Sequence, residues 1–140
     1  MFEWDGDTKK ILSTLWIFLT VNYIYCDVFG MHDADTLQQL LSGEVGDIKI
    51  TEEFLLYFAM IMQIPMIMIP LSRYLSYKIN KYLNIVAATI SGGIQSYTAY
   101  MGGTLFYLFF SFFEIATALL IIIMAIRWKP TATRERTENT

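Results

Sequence analysis

Thr104–Ile126 reads TLFYLFFSFFEIATALLIIIMAI, and Glu114 is its only charge. A membrane-spanning helix takes about 20 predominantly apolar residues. The run is long enough to cross a bilayer and would carry Glu114 to its centre. A carboxylate at that depth costs at least a few kcal/mol, so it is expected to be protonated or partnered inside a bundle. This one residue predicts a membrane protein with something polar at its core.

Outward from that run, three more segments reach spanning length: Ile11–Phe29, Phe54–Ser72 and Tyr82–Met101. The 140-residue chain is 55% hydrophobic and 16% aromatic, with a mean hydropathy of +0.44. That is too apolar for an ordinary soluble domain. The apolar residues also come in blocks rather than in alternation. The expected fold is all-α and integral to the membrane: an antiparallel four-helix transmembrane bundle in one domain over residues 1–129. Residues 1–10 read as a short polar cap. Residues 130–140, ending TATRERTENT, read as a disordered cytoplasmic tail. MFEWDGD lacks the basic start of a secretory signal, and no small-residue cleavage site follows, so the first segment is expected to remain as a span.

The basic residues orient the bundle. Cytoplasmic loops collect Lys and Arg. Lys9, Lys10, Arg73, Lys78, Lys81, Arg127, Lys129, Arg134 and Arg136 share one side if both termini are cytoplasmic. Only Lys49 falls on the other, in the acidic loop Gly30–Glu53. The reading is N-in and C-in at the cell membrane. Trp4, Trp128, Tyr74, Tyr77 and Tyr82 are expected as interfacial anchors. Within the outer loop, Asp35–Leu41 reads as a short amphipathic helix, with Asp33 or Asp35 as N-cap and Gly43 as C-cap. Thr51 should cap the second span, Pro65 should kink it, and Pro70 lies near its end. Ala88, Gly92 and Ser96 form a small-residue row on the third.

Each span carries one strongly polar residue. At about 1.5 Å per residue from the cytoplasmic ends, Asn22 lies roughly 16 Å deep, Gln63 roughly 14 Å, Gln95 roughly 20 Å and Glu114 roughly 18 Å. The four are expected to face one another in a midplane layer. Ligand or ion binding is assigned to Glu114, Gln63, Gln95 and Asn22, with Glu114 bearing the charge. Interhelical amide hydrogen bonds are also common glue in membranes.

Other chemistry finds little support. His32 is the only histidine, which rules out a His-based triad or metal site, and Cys26 is the only cysteine. No lysine or arginine lies within the spans, and no phosphate-cradling loop is present. Tail basics alternate with acids, which gives nucleic-acid binding no footing. No cofactor, metal or catalytic residue is assigned.

LSTLWIFLTVNYIYCDVF, ITEEFLLYFAMIMQIPMIMIPLSRYL and YLFFSFFEIATALLIIIMAIRWK together resemble a family of small, uncharacterised prokaryotic membrane proteins, with a layout similar to the DoxX-like four-helix proteins. The resemblance covers most of residues 11–129. It implies a four-span architecture and carries Asn22, Tyr23, Asp27, Gln63, Pro65, Ser72, Arg73 and Glu114 as motif positions. The leading expectation is a non-enzymatic bundle that binds or moves a small molecule or ion, a proton included. The alternative is a structural or accessory subunit that forms a homo-oligomer or supports a partner, with Glu114 a protonated, hydrogen-bonded core residue. An intramembrane enzyme would need a nucleophile–base pair or a metal cluster, and neither is visible.

Overall fold

The computed structural model describes residues 4–129, with the backbone alone for Trp4 and Asp5. The tail expected to be disordered, residues 130–140, lies outside them. So do the side chain of Trp4 and the basic residues Arg134 and Arg136.

The fold is all-α apart from one small hairpin. Its elements are α1 (Trp4–His32), α2 (Ala34–Ser42), β1 (Glu44–Val45), β2 (Ile48–Lys49), α3 (Glu52–Tyr74), α4 (Tyr77–Tyr100) and α5 (Leu105–Arg127). Three helices are long and apolar enough to cross a membrane: α1, α3 and α5. Helix α4 is as long but more polar, with Lys78, Asn80, Lys81, Asn84 and Gln95 along it.

The four long helices run antiparallel. The start of α1 meets the end of α3, where Ser13 Oγ donates to the Ile69 carbonyl at 2.9 Å. The end of α1 meets the start of α5, where the Phe29 ring packs tilted against Phe110 with centroids 5.5 Å apart. Helix α4 runs back beside α5, and α3 lies between α1 and α4. One stripe of α1 faces inward at helical spacing: Thr8, Leu12, Trp16, Leu19, Cys26 and Gly30 are buried. Three- and four-residue steps place such positions on one side of a helix. Leu12, Trp16, Leu19, Met68, Ala87, Ala88, Ile121 and Trp128 form a continuous apolar core. It occupies the end of the bundle that carries the α3–α4 link.

Several expectations are corrected. Residues 4–10 are helix, not a separate cap, and α1 is 29 residues long. Gly30 does not stop it. A Cβ there would meet Thr36 Cγ2 at 3.7 Å, an ordinary contact distance. Helix α4 begins at Tyr77, five residues before the expected Tyr82, and a two-residue link, Leu75–Ser76, joins it to α3. Trp128 is not an interfacial anchor. Its ring is buried edge-on against Tyr77, with centroids 5.2 Å apart. Tyr74 and Tyr82 are exposed, as anchors would be.

The expected caps are present. Asp33 accepts from the Thr36 amide at 3.0 Å and its hydroxyl at 2.6 Å. Gly43 ends α2 at φ 75°, in the left-handed region where glycine pays no Cβ penalty. Thr51 accepts from the Phe54 amide to start α3. The β1–β2 hairpin turns on Gly46 at φ 58° and pairs Glu44 with Lys49. Both Pro65 and Pro70 lie inside α3, which continues to Tyr74. Spanning helices tolerate proline where a neighbour can serve the disrupted ladder. The carbonyl that Pro70 deprives of its donor is that of Met66, four residues back, whereas the Ser13 hydroxyl bonds the Ile69 carbonyl.

Candidate functional site

Helix α5 is apolar on most of its surface, and its polar residues share one face. Ser111, Glu114, Thr117 and Ala118 are all buried there. Helix α4 supplies the opposing face with Ala88, Ser91 and Gln95. The two backbones come close because Gly92 has no side chain: a Cβ there would lie 3.0 Å from Ala118 Cβ. Small residues permit such approach between spanning helices.

Across this seam runs a hydrogen-bonded chain. Gln95 Nε2 donates to Ser111 Oγ at 2.8 Å and to the Tyr107 hydroxyl at 3.4 Å. The Tyr107 hydroxyl donates to Thr98 Oγ1 at 2.7 Å. Tyr107 is held at the α4–α5 turn by Gly103, where a Cβ would come within 2.5 Å of its ring.

Glu114 lies one turn below Ser111. It is 1% exposed. Among the described residues, neither of its carboxyl oxygens has a hydrogen-bond partner. From α1, Tyr23, Cys26 and Asp27 lie within electrostatic range of it. An unpartnered buried polar group costs more than a paired one. Beside the seam is a cavity of about 20 Å³, lined by Tyr23, Ile61, Met62, Pro65, Ser91, Ile94 and Gln95.

The four expected layer residues separate. Glu114 and Gln95 lie on facing helices, and Ser111, which accepts from Gln95, sits one turn from Glu114 without bonding it. Asn22 is half-buried and spends its amide on its own Phe18 carbonyl at 3.0 Å. Gln63 is exposed, and its amide reaches only Met66 Sδ at 4.0 Å. Rotation about the α3 axis turns Gln63 away from the seam. Ala59, one turn before Gln63 on the same helix face, is likewise exposed.

A second polar cluster was not anticipated. Asn84 is fully buried and accepts from Trp16 Nε1 at 2.7 Å and Ser72 Oγ at 3.2 Å. Its amide donates to Asn80 Oδ1 at 2.6 Å, and Asn80 Nδ2 donates to the Ser72 carbonyl at 2.7 Å. This joins α1, α3 and α4 at the link end. Nearby, Lys81 Nζ donates to the carbonyls of Ile126 and Trp128, and the Tyr77 hydroxyl donates to that of Trp128. A cation on the last carbonyls also complements the helix dipole. The available signal was the four-residue spacing of Asn80 and Asn84, which puts both on one helix face. It was hidden because the expected span begins at Tyr82, which leaves Asn80 in the preceding loop and Asn84 in the helix. Among the described residues, no cluster of three His, Cys, Asp or Glu is placed to hold a metal.

These features define a small helical protein with three apolar helices of membrane-crossing length and a buried carboxyl between α1, α4 and α5. The chain belongs to a family of unknown function, DUF6326, whose sequence model matches residues 1–134. This agrees with the expected membership of an uncharacterised family. No curated protein and no solved structure matches the chain, so a DoxX-like layout rests on the sequence resemblance alone.

Proposed function

We propose that this protein is a four-span membrane protein whose buried site around Glu114 binds or moves a small molecule or ion. The supporting observation is the Glu114 carboxyl itself, buried with both oxygens unpartnered. A glutamine would serve a purely structural role more cheaply in that position. Gln95 and Ser111 are the polar partners nearest along the seam, and Pro65 is the point where α3 can flex. In this reading α4 is the fourth span, its polar residues turned inward, and the positive charges hold both termini in the cytoplasm. Reporter fusions at each terminus test that orientation: a C-terminal reporter active only outside the cytoplasm would overturn it.

The central test is an infrared difference titration of wild type against Glu114→Gln in lipid. The expected result is a carboxyl band that titrates in the wild type and is missing from a folded variant. A Glu114→Gln protein with unchanged ligand- or proton-dependent behaviour would sink the reading.

A second reading, self-association, is favoured by one observation. Every residue from Thr51 to Ile61 is exposed, and so is Gln63. An amide facing lipid lacks partners, and another copy of the chain would supply them. Cross-linking in lipid that gives monomer only would remove this alternative.

A further inference from the structure

The surroundings of Glu114 restrict what it can hold, provided it is the charge-bearing group argued above. Pockets for organic ligands are typically about 300–1,000 Å³, whereas the cavity beside Gln95, which Tyr23 lines and Glu114 does not, is about 20 Å³. That is room for one water, which takes at least about 10–15 Å³ measured this way. Hard divalent cations take about six or more oxygen ligands. Among the described residues, the other carboxylate within electrostatic range is Asp27, and α4 contributes the neutral Ser91 and Gln95.

The two directions away from Glu114 differ. Toward the link end lies the apolar core of Leu12, Trp16, Leu19, Met68, Ile121 and Trp128. Behind it the Trp16–Asn84–Asn80–Ser72 cluster has its amide and indole groups hydrogen-bonded. Toward the Gly102–Gly103 end, α1 presents Tyr23, Cys26 and then Asp27, which is exposed. On the same side the Gln95–Tyr107–Thr98 bonds continue along the seam.

We propose that the ligand of Glu114 is a proton, and that it exchanges with the Gly102–Gly103 side of the bundle by way of Asp27 while the apolar core closes the other side. In each transfer one O–H bond breaks at Glu114 and one forms at Asp27, through the Tyr23 hydroxyl or a water. Asp27 then releases the proton to solvent, and Glu114 is left as the carboxylate. The titratable groups facing Glu114 are Tyr23, Cys26 and Asp27 from α1 and Tyr107 from its own helix. Helix α4 contributes none, and α3 packs chiefly against α1 and α4.

The test uses the full chain in phosphatidylcholine liposomes, with the Glu114 carboxyl band followed by infrared after a pH step. Glu114→Gln assigns the band. Asp27→Asn should keep the band and slow its exchange roughly tenfold or more. Asp27→Glu should restore the rate, and Asp35→Asn on α2 should leave it unchanged. An Asp27→Asn rate equal to wild type would overturn the route. Displacement of the proton by sodium, potassium, magnesium or calcium would overturn the proton as ligand but keep the site. A carboxyl that never titrates would remove the underlying reading as well.

Discussion

Asn84 and Asn22 are the same residue type in neighbouring helices, and the structure gives them opposite weights. Asn84 serves Trp16, Ser72 and Asn80 while fully buried. Truncating it strands the Trp16 indole N–H. Asn84→Ala should therefore cost about 1–3 kcal/mol. Asn22 bonds within its own helix turn, so Asn22→Ala should stay within about 0.5 kcal/mol of wild type. Thermal melts in detergent micelles compare the two; equal losses would contradict the assignment. Glu114→Gln should melt no lower than wild type, because the carboxyl it replaces is buried without partners. The sequence showed that Glu114 and Gln95 were deep and polar, since single polar residues stand out against apolar runs. It could not show which way Gln63 and Asn22 turn, because depth depends on residue count and facing depends on packing.

Elements with local instructions were legible, and those set by tertiary partners were not. The caps Asp33, Gly43 and Thr51 could be read because capping is a bond between near neighbours. The start of α4 could not, because Asn80 and Lys81 are held in helix by Ser72, Ile126 and Trp128, far away in sequence. The Gly46–Asp47 hairpin carried a turn signal that the acidic loop obscured. Two outcomes belong at this scale. Gly92→Leu should force α4 from α5, an overpacking cost of about 1–3 kcal/mol, seen as a lowered melting point and loss of the Glu114 band. Gly93 is exposed with open space around it, so Gly93→Leu is the control and should be mild. The second concerns Asp33, whose carboxyl is held below its ordinary range by the Thr36 hydroxyl and amide. A depressed folded value means that the capping contribution is present above the unfolded value and lost as pH falls through the folded one. Amide exchange at Thr36 should accelerate on acidification, and Asp33→Asn should flatten that dependence.

At the scale of the molecule, the bundle is asymmetric along its length. The link end is apolar and tightly bonded, and the Gly102–Gly103 end holds the hydroxyls and the exposed Asp27. Cys26, the only cysteine in the chain, reports on that division because it is buried at 7% exposure on the α1 face near Glu114. Maleimide labelling should be slow in lipid and fast in denaturing detergent; rapid labelling in lipid would mean that the α1–α5 seam is open.

Closure of the bundle depends on α1 packing against α5, the first and last of the long helices to leave the ribosome. Trp16 finds Met68 of α3 and Asn84 of α4 earlier, so only the part of the α1 stripe that α5 covers waits for nearly the whole chain. Glu114 is sealed between its neighbours only at the end of translation. A chain halted before Leu105 would keep the Trp16–Asn84 contact within reach yet leave the rest of the α1 face without the helix that covers it.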